Sequence, residues 1–260
     1  DTVRCTGRLR AGEYSIDGGV SSQFITGLLL SAALIPGESR IYPTGKVESR
    51  PYITMTQRAM EIFGKETADF VVTGGTPFRS PGELTVEGDW SNAAFFLAAK
   101  ALGSNVEVTN LSPDSPQGDQ AVFDLLPALE GHPVISAADI PDLIPILAVT
   151  AACKTGAVFT DIGRLRLKES DRVASVIAMV EALGGKAQTS KDTLTVYGTG
   201  LAGGTVDAVN DHRIAMSAAI AATACKAPVT ILGAECVEKS YPKFFEEYAR
   251  LGGNYEQYLR

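Results

Sequence analysis

The apolar positions of this chain fall into two alternating kinds of segment. Residues 21–42, 91–110, 142–161 and 211–233 each start on a polar or acidic side chain, run through a helix-length apolar stretch, pass a lysine or glycine and close on a short β-branched run. Each predicts a helix followed by a strand. At a similar distance after each comes a more amphipathic helix ending at glycine, over residues 52–64, 120–131, 170–185 and 241–253. A terminal glycine suits a left-handed helix cap. Alternating segments then predict paired strands, 69–73 with 83–87 and 193–197 with 205–209. The repeating unit is therefore β-α-β-α-β-β, about 50 to 70 residues long.

In the first helix of each unit the apolar side chains run around most of the circumference, as in residues 93–102 and 214–224. A helix of that kind belongs in an interior. The second helices carry charged faces (Arg58 and Glu61; Asp171 and Glu181; Glu246, Glu247 and Arg250) and belong nearer solvent or a cleft. The expected fold is α/β, with buried helices wrapped by sheets rather than a doubly wound parallel sheet. Glycine, proline and serine interleave over residues 74–87, which fits either a domain junction or a plain surface hairpin.

With 260 residues, 45% of them hydrophobic and 20% charged, the chain has apolar side chains enough for one large domain or two modest ones. Its longest apolar runs fall short of the roughly 20 residues that span a bilayer, so no transmembrane helix is expected. The opening Asp1-Thr2-Val3-Arg4 lacks an initiator methionine or a leader pattern and reads as the start of a fragment. Cys5, Cys153, Cys225 and Cys236 are scattered, two of them inside apolar helical patterns. That favours buried reduced thiols and a cytoplasmic location over a disulfide framework or a metal site. A net charge of −7 argues against nucleic-acid or membrane-surface partners.

Candidate chemistry concentrates at helix starts. In Lys168-Glu-Ser-Asp-Arg172 the loop-to-helix transition carries Lys168, Glu169 and Arg172, with Ser170 or Glu169 near the cap and Lys168 one turn from Arg172. Fixed cations beside exposed helix N–H groups suit a phosphate or carboxylate, although a solvated charged face has the same composition. Asn210-Asp-His-Arg213 opens the apolar helix over 214–224, with an Asn or Asp cap and Arg213 in the first turn; His212 reads as a structural hydrogen-bonding residue. Ser21, Ser22 and Gln23 follow a glycine pair at another helix start, where hydroxyls and unpaired N–H groups can hold phosphate oxygens. Asp142 after Ile140-Pro141 is either an acidic cap or, if it faces a cleft, a base for a hydroxyl nucleophile. Lys239 precedes the last helix. The candidates recur at matching points of the repeat, Ser21, Ser22, Asp142 and Arg213 before first helices and Ser49, Lys168 and Lys239 before second ones. Convergence of these ends would build a polyanion site without a glycine-rich phosphate loop.

Taken together, Gly19-Val-Ser-Ser-Gln-Phe24, Ser49-Arg-Pro-Tyr52, Glu87-Gly-Asp89, Ile140-Pro-Asp142, Lys168-Glu-Ser-Asp-Arg172, Asn210-Asp-His-Arg213 and Glu238-Lys-Ser-Tyr-Pro242 stand in the order and spacing of the 5-enolpyruvylshikimate-3-phosphate synthases. The chain resembles the C-terminal three-fifths or so of that family. The resemblance implies a transferase of the shikimate pathway of aromatic amino-acid biosynthesis, built from such units in two domains. Residues 1–87 would be the end of the N-terminal domain, which is incomplete, and 88–260 the C-terminal domain. It implies transfer of the enolpyruvyl group of phosphoenolpyruvate to the 5-hydroxyl of shikimate 3-phosphate with release of phosphate, by a cytoplasmic protein, monomeric when full length. Ser21, Ser22, Gln23, Ser49, Tyr52, Asp142 and Lys168 would bind shikimate 3-phosphate; Arg172, Arg213 and Lys239 would hold phosphoenolpyruvate; Asp142 and Glu169 would be catalytic. No metal or organic cofactor is implied, and the fragment itself is expected to lack turnover. UDP-N-acetylglucosamine enolpyruvyl transferase, or a noncatalytic fragment, is the alternative.

Overall fold

Strands and helices alternate along the chain where period-two and period-3.6 patterns alternate, and the computed structural model, which describes residues 2–258, shows how they pair. Two units separate. One comprises residues 1–86 with 116–118, the other residues 87–115 with 119–260.

The first unit contains β1 (Glu13–Asp17), α1 (Ser22–Ala32), β2 (Gly37–Thr44), α2 (Arg50–Ile62), β3 (Thr67–Ala68) and β4 (Val71–Gly74), which is one complete β-α-β-α-β-β repeat. Its sheet has the order β1-β2-β4-β3: β1 lies parallel to β2, and β4 is antiparallel to both β2 and β3. Ile25, Leu29, Ile41, Ile53, Met60 and Val72 form its core.

The second unit contains α3 (Trp90–Ala101), α4 (Val122–Ala128), β5 (Val134–Ser136), α5 (Ile144–Cys153), β6 (Gly156–Thr160), α6 (Arg172–Ala182), β7 (Lys186–Ser190), β8 (Thr193–Tyr197), β9 (Gly204–Asp207), α7 (His212–Ala222), β10 (Val229–Leu232) and α8 (Phe244–Arg250). From β5 to β8 it repeats the first unit strand for strand, with order β5-β6-β8-β7 and the same parallel and antiparallel pairs. β9 and β10 form a separate parallel pair.

The all-round apolar helices lie where expected. Every residue of α5 except Cys153 is buried, as is α7 from His212 to Ala221, and α3, α5 and α7 pack on one another within one core. Small alanine side chains permit that close approach. The second helices bury one stripe each, as α6 does with Val173, Val176, Met179 and Val180.

Three pairing expectations fail. Residues 83–87 form no strand; β4 pairs instead with β3 across Asp69 and Phe70, both left-handed (φ 46 and 64). Pro77 and Pro81 stand between 74 and 83 and withhold the N–H groups a ladder needs. Residues 193–197 pair with β6 and β7, while β9 pairs with β10, so the expected 193–197 to 205–209 ladder does not exist. β7 escapes pattern reading because four of its five residues are polar and only Ala187 is buried. After α3 no strand follows in residues 105–110. Left-handed glycines end α2 at Gly64, α6 at Gly184 and α8 at Gly252, but His132 takes that place at 131–132.

Candidate active site

Asp142 lies two residues before α5, in the turn that Leu143 closes by donating its N–H to the Ile140 carbonyl. It does not cap α5: Leu143 occupies the cap position and no side chain bonds there. Its carboxylate faces cations instead. Oδ1 is 2.5 Å from Arg172 Nη1 and 3.6 Å from Lys168 Nζ, and Oδ2 is 3.3 Å from Arg213 Nη2. Burial alone would raise the proton affinity of Asp142, but Arg213, Lys168 and Arg172 outweigh it and hold the carboxyl well below the ordinary range.

Arg172 opens α6. The cap is Asp171, whose side chain accepts from the N–H groups of Val173 and Ala174, one residue later than expected. Lys168 is consequently extended (φ −88, ψ −162) rather than one helical turn from Arg172; chain path, not helix geometry, brings both to Asp142. The Arg172 side chain is wholly buried, with Nε on Asp211 Oδ2 at 2.9 Å, Nη1 on Asp142, and Nη2 on Glu169 Oε2 at 2.6 Å. Burial disfavours its charge, yet Asp142 and Asp211 win and raise its pKa further.

Asp211 caps α7 through Oδ1, which accepts from the Arg213 N–H, and uses Oδ2 for Arg172 and the Ser170 hydroxyl. Its carboxyl is lowered despite burial because Arg172 lies against it. Val209 and Asn210, both left-handed (φ 45 and 59), turn the chain into this cap and present the Asn210 carbonyl to Lys239 Nζ at 2.5 Å. His212 is buried, and burial followed by Arg213 lowers its pKa; its Nδ1 has no partner among the described residues, so the expected structural hydrogen bond is not seen at that nitrogen. Arg213 Nη1 is likewise buried with no partner among the described residues.

The second unit thus gathers Asp142, Lys168, Glu169, Arg172, Arg213 and Lys239 around the starts of α5, α6 and α7. One further group joins them that sequence reading missed. Asp119, 3% exposed, accepts a short bond from Ser91 Oγ, and its neighbours include Asp142, Arg213 and Asp89. Gln117-Gly-Asp119 carries no cap or periodicity signal, so only the fold reveals it.

In the first unit, Ser21 caps α1 by accepting from the Gln23 N–H, Ser22 is buried and Gln23 is exposed. Ser49, left-handed (φ 53), precedes α2, and its carbonyl accepts from the Tyr52 N–H. The two helix starts are tied, since Gly18 accepts from the Glu48 N–H and Thr26 Oγ1 meets Thr56 Oγ1 at 2.8 Å between α1 and α2. Among the described residues no group of three or more His, Cys, Asp or Glu is placed to hold a metal ion, and no helix is long and apolar enough to cross a membrane.

The fold built from these units is that of solved enolpyruvyl transferases. The chain superposes on EPSP synthase from Acinetobacter baumannii with a TM-score of 0.78 at 24% identity, covering 95% of this chain and 64% of that one. It also superposes on the enolpyruvyl transferase NikO from Streptomyces tendae, with a TM-score of 0.69 at 18% identity over 95% of this chain and 65% of that one. Residues 2–132 and 126–248 match the family described as EPSP synthase (3-phosphoshikimate 1-carboxyvinyltransferase), and the chain belongs to that family. Relatives named 3-phosphoshikimate 1-carboxyvinyltransferase include those of Clostridium beijerinckii, 37% identical, and Clostridium acetobutylicum, 38% identical. Each alignment covers 98% of this chain and 65% of the relative, so the chain spans about two-thirds of the length of the curated relatives it matches.

Proposed function

We infer that this chain serves, as part of a complete enzyme, in transfer of the enolpyruvyl group from phosphoenolpyruvate to the 5-hydroxyl of shikimate 3-phosphate, with release of phosphate. One observation carries the reading: a half-buried carboxylate, Asp142, is ringed by Lys168, Arg172 and Arg213, three cations from two different helix starts. Such preorganised charge suits a phosphorylated carboxylate whose phosphate departs. The full-length protein is proposed to be a cytoplasmic monomer.

Lys168, Arg172 and Arg213 are each ion-paired, with Asp142, Glu169 and Asp211 as their carboxylate partners. An incoming anion must therefore release cations from carboxylates. Glu169 is the readiest to leave, because its side chain is 41% exposed whereas Asp211 is wholly buried. Phosphoenolpyruvate held by Arg172, Arg213 and Lys239 would take over part of the positive charge now lowering Asp142. That raises the basicity of Asp142 toward what removal of the hydroxyl proton needs. Glu169, freed from Arg172, takes up a proton from solvent; oxygen then bonds to C2 of phosphoenolpyruvate as Asp142 removes the hydroxyl proton, and Glu169 delivers its proton to C3. Loss of phosphate and of a methyl proton from the tetrahedral adduct restores the enol ether. Lys168, with Ser21, Ser22, Gln23, Ser49 and Tyr52 of the first unit, is assigned to shikimate 3-phosphate.

The test is phosphate release from phosphoenolpyruvate by the complete enzyme with either acceptor. Turnover is expected with shikimate 3-phosphate and to be absent with UDP-N-acetylglucosamine. The reverse preference, or unchanged kinetics in both Asp142→Ala and Arg213→Ala, would overturn the assignment.

A further inference from the structure

We propose that Asp119 is a positioning residue for Arg213, and that its carboxyl takes up a proton when an anion occupies the Arg213 end of the site. The proposal rests on the anion-binding reading above and adds a group that reading does not use.

Asp119 sits in a 3-10 turn, Gly118–Ala121, packed against the start of α3. Of its two oxygens, Oδ2 receives the Ser91 hydroxyl and Oδ1 is buried with no hydrogen-bond partner among the described residues. No ion pair of the described residues involves it, although Arg213 lies close enough to attract it. Arg213 has the complementary vacancy, a buried Nη1 without a partner, while its Nη2 is held by Asp142. A buried acceptor and a buried donor thus each lack a partner among the described residues, and the charge of Arg213 acts on Asp119. A buried carboxylate with one donor is costly as an anion.

The charged groups around Asp119 come from three elements: Asp89 at the start of α3, Asp142 before α5 and Arg213 in α7. Only Arg213 favours the ionised form. Burial, then Asp142, push the carboxyl up to about 6 even with Arg213 and the Ser91 hydroxyl opposing. When an anion compensates Arg213, the one attraction is cancelled while repulsion from Asp89 and Asp142 stays and that of the ligand is added. Oδ1 then accepts a proton from the buffer acid, the carboxyl becomes neutral, and its new O–H is a donor in place of a repelling charge. Arg213 is left to the ligand without a second buried carboxylate competing for it.

Sulfate is a suitable probe because it does not itself titrate near neutrality. Its binding to the chain would be followed by isothermal titration at pH 6.5 in buffers of different ionisation enthalpy, with the dependence of the heat on buffer giving the protons taken up. An uptake of roughly half a proton is expected for an acid whose midpoint starts near 6 and rises above 7. Asp119→Asn should abolish the uptake and keep sulfate binding, and Ser91→Ala, which removes the donor favouring the anion, should shift the uptake to higher pH. Because Arg213 also lowers the His212 pKa, His212→Gln is the necessary control and should retain the uptake. Arg213-dependent binding without uptake, or uptake that survives Asp119→Asn, overturns the role of Asp119 and leaves the anion site standing. Sulfate binding that is absent, or indifferent to Arg213→Ala, overturns the anion site and this proposal with it.

Discussion

Arg172 Nε lies 2.9 Å from Asp211 Oδ2, and neither side chain has any surface exposed. The pair joins the first residue of α6 to the cap of α7. Replacing Arg172 by methionine keeps the volume but strands Asp211 in the interior. A loss of about 3–5 kcal/mol of stability is expected, the usual cost of removing one partner of a buried pair. Urea unfolding of the two proteins measures it; a loss below about 1 kcal/mol would show that water reaches Asp211.

Asp119 has the opposite sign of pH linkage from Asp142 and Asp211. Its folded-state value is raised from 3.8 to about 6, so its favourable contribution is complete below about 4 and disappears as pH climbs through 6. At pH 7 its ionisation costs the folded state on the order of 2–3 kcal/mol. Asp119→Asn should therefore stabilise the protein by up to that amount at pH 7 and by little at pH 4, as read from denaturant midpoints at the two pH values. Asp142 and Asp211 are lowered, and their contribution stands above the ordinary carboxylate range and falls away on acidification.

In the complete enzyme, Arg213→Ala should raise the KM for phosphoenolpyruvate by roughly 10- to 100-fold, the worth of a charged hydrogen bond of about 1.5–3 kcal/mol. Asp142→Ala should instead lower kcat by about 10²–10⁴. Steady-state kinetics separates the two; equal effects on the same constant would show that the residues do not divide binding and proton transfer between them.

Gly198 follows β8 where the chain crosses the end of α5. A Cβ there would stand 2.2 Å from the Lys154 carbonyl oxygen and 2.6 Å from the Thr155 carbonyl carbon. Backbone on the receiving side cannot rotate away, so Gly198→Ala should cost about 1–3 kcal/mol through overpacking. Gly200→Ala meets no atom within 4 Å and isolates the steric part, since its left-handed φ of 75 carries only backbone strain.

Much of this architecture was legible because burial writes itself into period. The uninterrupted apolar runs of α5 and α7 betray interior helices, and the polar residues ahead of them mark the helix starts where the charged cluster gathers. Pairing was less legible. β7 is a strand by virtue of its ladder to β8 rather than its side chains, and β9 has nothing in its own residues that chooses β10 over β8. Local competition hid the α6 cap, where Glu169, Ser170 and Asp171 are all plausible and tertiary demand settles it by drawing Ser170 and Glu169 to Asp211 and Arg172. Asp119 was invisible because its significance is wholly three-dimensional, a carboxyl brought by a turn within the electrostatic reach of an arginine nearly a hundred residues later in the chain.

The shared strand order has a kinetic corollary. Of the three pairings in the β5-β6-β8-β7 sheet, only β7 with β8 closes over a two-residue turn, Lys191 and Asp192; β5 meets β6 across an entire helix, and β6 meets β8 across another. A hairpin forms in about 1–10 μs, whereas parallel strands must wait for their crossover helix to be in place. Assembly of this region should thus start at its polar, least hydrophobic edge, and β5 and β6, which meet only once α5 is in place, would be the last to lock.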